Sequence, residues 1–238
     1  MKKLLTITII LASLLGCFSI NAQLLKDAKK FVNKQTGGLS EKDAADGIRE
    51  ALVKGTGESV KLVSIVDGYF GNAEIKIPFP PEAKEIESKL RSIGLGNKVD
   101  EVILSLNRAA EDAGNEAKPI FIDAIKGMSI NDAINIVKGE NDAATKYLKR
   151  TTSHQLIAKF QPVIKKSLDK VDATKQWEEL VKTYNKIPFV MKMNPDLPAY
   201  VTGKAIDGLF VMVAKEELKI RKDPMARTSE ILKKVFGN

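Results

Sequence analysis

One cysteine, Cys17, and one histidine, His154, occur in 238 residues. The first scarcity excludes an internal disulfide, and the two together exclude a zinc centre of the usual Cys/His type. Nucleophilic catalysis of the Ser-His-Asp or Cys-His kind needs a paired imidazole, for which His154 is the sole candidate. Aromatic residues make up 6%, with a single tryptophan, so the core has to be aliphatic. Arginine is scarce beside lysine: only Arg49, Arg91, Arg108, Arg150, Arg221 and Arg227. A nucleic-acid surface wants planar guanidinium forks and interleaved aromatics, so no nucleic-acid partner is expected. The glycines Gly55, Gly57, Gly94 and Gly96 follow no strand and lack the spacing of a phosphate loop, which leaves them as caps and turns. No EF-hand spacing is present, and neither a metal nor a cofactor is expected.

Hydrophobic residues at 44% and charged residues at 29% are ordinary for a folded globular chain of this length, which can bury a core without staples. The formal charge is +8, or +6 without Lys2 and Lys3, which suits a solvated lysine-rich surface or screened attraction to anionic envelope material. Those two lysines precede the apolar run Leu4 to Leu15, too short for a permanent membrane span but suited to an export signal. Residues 1–22 are read as that signal. Two processing sites compete: before Cys17, where Leu14-Leu15-Gly16-Cys17 matches a lipobox, and after Ala22. The expected location is the periplasm, with a lipid anchor to a membrane facing it if Cys17 is acylated.

Residues 23–39 suggest a lysine-rich amphipathic tether helix ending at Gly37-Gly38, and 40–238 a single all-α domain of about eight or nine helices. Ser40 with Asp43 and Ser129 with Asp132 have the spacing of helix caps, and Asn141 or Asp142 is placed to cap the helix after them. Gly55 and Gly57 are expected to weaken the end of the first domain helix. Val99, Val102, Ile103, Leu106, Ala110 and Ala113 recur at steps of three and four, marking a central helix on which Arg108 and Asp112 are spaced to pair. The only strand-like stretch, near 73–79, alternates Ile75 and Ile77 with Lys76; without a sheet it reads as an extended lid across helices. Pro119 marks a kink or a new helix start, and Thr151-Thr152-Ser153 with Pro162 predict a broken helix. The segment Ile187 to Leu197 is non-helical, and its Phe189, Val190, Met191 and Met193 call for burial. Tyr200 to Arg221 reads as a buried central helix, and Asp223-Pro224 as the start of a closing one.

Several runs make a specific set: Asp67-Gly68-Tyr69-Phe70-Gly71-Asn72, Asn107-Arg108-Ala109-Ala110-Glu111-Asp112-Ala113, Ala117-Lys118-Pro119-Ile120-Phe121, Asp142-Ala143-Ala144-Thr145, Tyr200-Val201-Thr202, Asp207-Gly208-Leu209-Phe210 and Asp223-Pro224-Met225-Ala226-Arg227-Thr228. Through them the chain, over about Ser40 to Gly237, resembles an uncharacterised exported bacterial family, domain of unknown function 4197. The resemblance implies an exported, mainly helical domain and brings no catalytic residues.

Glu111 with Glu116, or Glu216 with Glu217, are candidate carboxylate pairs, although neighbours in sequence point to different helix faces and all four suit a solvated face. The best site candidate is a polar cluster of Asn107, Arg108 and Glu111, with Asp207, Arg221 and Arg227 as partners and Tyr69 and Phe70 as a roof or a core plug. Buried ion pairs that set helix packing would use the same residues. The resulting expectation is a non-enzymatic envelope protein that binds a small or lipid-like ligand or a protein partner. The alternative is a carboxylate-dependent hydrolase of envelope material with Glu111 as its acid or base; an Arg partner satisfying Glu111 would argue against it.

Overall fold

The structure is a computed structural model that describes residues 40–186, 188–189, 192–194, 196–226 and 233. The expected signal, the tether helix, Cys17, Arg227 and, apart from residue 233, the closing helix beyond Ala226 lie outside the described residues. Eight α-helices are described: α1 Glu41–Ser64, α2 Lys84–Ser92, α3 Gly96–Gly114, α4 Ala117–Lys126, α5 Ile130–Lys138, α6 Ala143–Asp169, α7 Ala173–Tyr184 and α8 Leu197–Lys222. No strand occurs among the described residues. The domain is all-α.

Local chemistry explains most of the boundaries. Ser40 accepts a hydrogen bond from the Asp43 amide at the start of α1, and Ser129 with Asp132 forms a reciprocal capping box at the start of α5. Pro119 occupies the first turn of α4, where an amide has no intrahelical acceptor to lose. Two helices are longer than their breakers predict. α1 runs through Gly55 and Gly57, and Gly55 faces Ile220 of α8, where an added Cβ would lie 3.4 Å from that side chain. α6 is continuous through 151–153 because the three hydroxyls donate to the carbonyls of Tyr147, Leu148 and Lys149, staying within the helix rather than competing with it. It also continues through Pro162 to Asp169.

α8 is the axis of the packing. It lies against α6, α1 and α3, and it buries Leu197, Val201, Ala205, Ile206, Leu209, Phe210 and Val213. Its length and apolarity would suit a membrane crossing, but most of that apolar window is taken up inside the domain, as the sequence reading of a central core helix requires. It begins at Leu197, earlier than Tyr200, because Pro198 fits its first turn and the Asp196 carboxylate accepts from the Ala199 amide at 2.9 Å. α3 packs on α6 and α1, and α2 folds back on α3 across a turn at Gly94, whose φ of +85° favours glycine.

Two non-helical segments close the domain. Between α1 and α2, Ile75, Ile77 and Phe79 point into the core while Lys76 and Pro78 face out, an extended strap laid across helices. Between α7 and α8 only part of the expected burial occurs. Met193 is buried, but Phe189, a residue with left-handed backbone (φ +63°), is fully exposed at 108%. Val190 and Met191 lie outside the described residues.

Candidate functional site

The polar cluster on α3 is a clasp for the strap and for the turn before it. The Glu111 carboxylate, buried at 4% exposure, accepts the amides of Tyr69 (3.0 Å) and Phe70 (3.1 Å) on one oxygen. Its other oxygen takes the Arg108 guanidinium at 2.6 Å, and Arg108 reaches on to Asp67 at 2.8 Å. One turn earlier, the Asn107 amide accepts from the Ile77 N–H at 2.8 Å and donates to the Ile77 carbonyl at 2.9 Å. That is the pair of bonds a neighbouring strand would make, which is why a single extended segment can be buried without a sheet. Asn185 repeats the device on the other segment, accepting from Met193 N–H at 2.8 Å and donating to its carbonyl at 3.0 Å.

Tyr69 is the plug of this arrangement. Its ring is wholly buried, and its hydroxyl donates to the Ala205 carbonyl of α8 at 2.6 Å. Burial first, and the Glu111 charge second, push its ionisation far above the ordinary tyrosine range. Phe70 stays half-buried, with the Lys76 ammonium 3.9 Å and the Arg108 guanidinium 5.8 Å from its ring centre. Bonds to Glu111 and then Asp67 hold Arg108 in its charged form. Arg108 does not pair with Asp112. Asp112 is exposed and accepts the Ser167 hydroxyl of α6, because a single helical step turns it away from the buried carboxylate that needs a counter-charge.

The remaining candidates fall elsewhere. Asp207 is exposed and pairs with Lys149 at 3.6 Å. Arg221 belongs to a second clasp built on Glu217, which is buried rather than solvated. Glu217 accepts the Ala144 amide at 3.0 Å, and the Thr145 amide and hydroxyl at 2.9 and 2.8 Å. Arg221 holds the same carboxylate at 2.8 Å and donates to the Ile136 carbonyl at 2.8 Å. Asp142 does sit at the N-cap of α6, but its side chain makes no capping bond. The carboxylate of α8 does that work from across the core, at the positive end of the α6 dipole. The sequence offered Glu217 only as a carboxylate partner of Glu216 on a solvated face; the signal for its buried role was an acid four residues before Arg221. Tyr69, Asn107, Arg108 and Glu111 therefore come together, Asp207 and Arg221 do not join them, and Arg227 is outside the described residues.

Neither clasp leaves chemistry to spare. Each carboxylate is occupied by backbone amides and by an arginine, so neither presents a free oxygen to a substrate. His154 is exposed on α6, and among the described residues no group of three His, Cys, Asp or Glu could hold a metal.

A largely apolar concave feature opens beside the strap. Phe79, Leu90, Leu95, Val99, Val102, Ala173 and Trp177, from the strap, α2, α3 and α7, line a groove of about 250 Å³, with Lys98 and Gln176 as its polar members. Phe79 and Trp177 meet edge to face, ring centres 5.6 Å apart. The Trp177 indole N–H is buried and has no hydrogen-bond acceptor, a state that costs about 1–3 kcal/mol. A cavity beneath α1 and α8, beside Glu217, has room for about one water (30 Å³). None of the groove residues stood out as a site in the sequence, where Val99 and Val102 read as core stripe.

Fold and site together define an all-helical domain in which buried carboxylate and carboxamide side chains pin loop backbone. The chain belongs to the family described as Protein of unknown function (DUF4197), whose model matches residues 38–237. No curated protein and no solved structure matches the chain.

Proposed function

We propose that this is an exported, non-enzymatic binding protein of the cell envelope that takes a small or lipid-like ligand in the groove between α2, α3 and α7. The observation that carries the reading is that groove: apolar walls from four segments, with a buried indole donor left unmatched at its side. The export signal read from Lys2-Lys3 and Leu4 to Leu15 supports the location, and acylation of Cys17 would add membrane association. The hydrolase reading has less support, because Glu111 is enclosed and already bound by Arg108 and two amides.

The test is native mass spectrometry of the mature protein recovered gently from its own cell envelope. A retained small apolar mass that disappears in Val102→Phe, which fills the groove, is the expected result. The N-terminal mass reports in the same spectrum whether processing falls before Cys17 or after Ala22. A bare chain, or an adduct unaffected by Val102→Phe, would remove the ligand reading and leave a protein partner as the function to pursue.

A further inference from the structure

The polar groups of the groove restrict what it can hold. Among the lining residues Trp177 carries an N–H, a donor only, that is buried behind the groove surface, and Lys98 an ammonium, also a donor only. Gln176 can serve either way. No carboxylate lines the groove, and Lys98 makes no ion pair among the described residues. The one formal charge among the residues lining this apolar surface is therefore positive. Size restricts the occupant as well. About 250 Å³ lies below the roughly 300–1,000 Å³ typical of pockets for drug-sized molecules, so the space suits one short chain rather than a two-chain lipid. The apolar character continues past the rim: Leu95 and, two residues before it, Ile93 are exposed at the α2–α3 turn, and Val171 is exposed just before Ala173.

Resting on the reading of this groove as the binding site, we infer that its ligand is a single-chain apolar acid. The chain would lie against Phe79, Val99, Val102 and Trp177, and the carboxylate would face the Lys98 ammonium. A modest shift of the Trp177 ring would let its N–H reach the same acceptor, ending the isolation of the buried donor. Charge complementarity selects the acid over a neutral or cationic amphiphile of equal length.

Trp177 is the only tryptophan, so its emission reports on the groove without a label. The folded chain is titrated at neutral pH with decanoate, decanol and decyltrimethylammonium, each below the concentration at which it self-associates. Decanoate is expected to change Trp177 emission saturably at one equivalent. Lys98→Gln should weaken that binding about threefold, in line with an exposed charge pair, and leave decanol unchanged. Val102→Phe should abolish it while the circular dichroism spectrum stays helical. Equal binding of decanoate and decanol with no effect of Lys98→Gln, or preference for the cation, overturns the acid and leaves the groove as a site. If none of the three probes alters the emission of the folded protein, or if decanoate binding survives Val102→Phe, the groove reading fails together with the inference.

Discussion

Glu111→Ala removes the acceptor on which the turn before the strap depends. The Tyr69 amide is enclosed and would be left without a partner; the Phe70 amide, on a half-buried residue, could recover water in part. An unmet buried donor costs about 1–3 kcal/mol, and the lost side-chain volume adds to it. Arg108, by contrast, is 36% exposed and keeps Asp67, so its lost pair adds little. The sum is about 3 kcal/mol. For a domain of this size 1 kcal/mol moves the midpoint by about 2–4 °C, so Tm should fall by about 10 °C in a thermal melt followed by circular dichroism. Asp67→Asn is the internal control. Its carboxylate is 57% exposed and, among the described residues, meets only Arg108, so its loss should cost less than about 1 kcal/mol. A Glu111→Ala midpoint within about 2 °C of the parent, or an equal loss in Asp67→Asn, would refute the claim that the buried carboxylate holds this turn.

Gly208→Ala should destabilise by about 1–3 kcal/mol in a urea titration, since the new Cβ would lie 2.8 Å from the Tyr69 ring and 3.1 Å from Ile75, and the Ala205 hydrogen bond prevents the ring from moving aside. Asn107→Ala leaves both the N–H and the carbonyl of Ile77 unmatched; it should cost about 2 kcal/mol and speed hydrogen exchange at the Ile77 amide more than at the amides of α6. Stability should decline in alkali. The Tyr69 phenol ionises near pH 10 once unfolded but stays protonated in the fold, and burial together with Glu82 pushes Tyr200 up to about 12. Both contributions are intact below pH 10; that of the enclosed Tyr69 falls by about 1.4 kcal/mol per pH unit above it and that of the half-exposed Tyr200 by less, so Tyr69→Phe should make the fall of the urea midpoint between pH 10 and 12 distinctly shallower.

The helices were legible wherever one face carries the signal. The stripe from Val99 to Ala113, the Ser129–Asp132 cap and the apolar section of α8 are all local patterns, and the structure keeps them. Breakers were read less well. Gly55 was expected to weaken a helix end, whereas it sits inside α1 at a contact with Ile220, some 165 residues away in the chain. The hydroxyls at 151–153 were expected to interrupt α6 and instead bond within it, because flanking Leu148 and Leu156 are both anchored in the core. Asp112 looked like the partner of Arg108 by spacing, but spacing four residues apart says only that two side chains can meet, not that a better acceptor is absent.

The sequence by itself determined an aliphatic, helical, single-core domain without disulfide or Cys/His metal chemistry, because composition and the 3.6-residue period act through neighbours along the chain. It also placed Tyr69, Asn107, Arg108 and Glu111 among the residues worth following. Only the tertiary structure decided what those polar groups do. A buried carboxylate or carboxamide must find donors and acceptors, but nothing local states which backbone it will meet. Glu217 caps a helix that begins 74 residues earlier, and Asn107 stands in for a strand beside Ile77. The groove at Trp177 arises in the same way, where the strap and three helices converge and leave one indole donor unmatched.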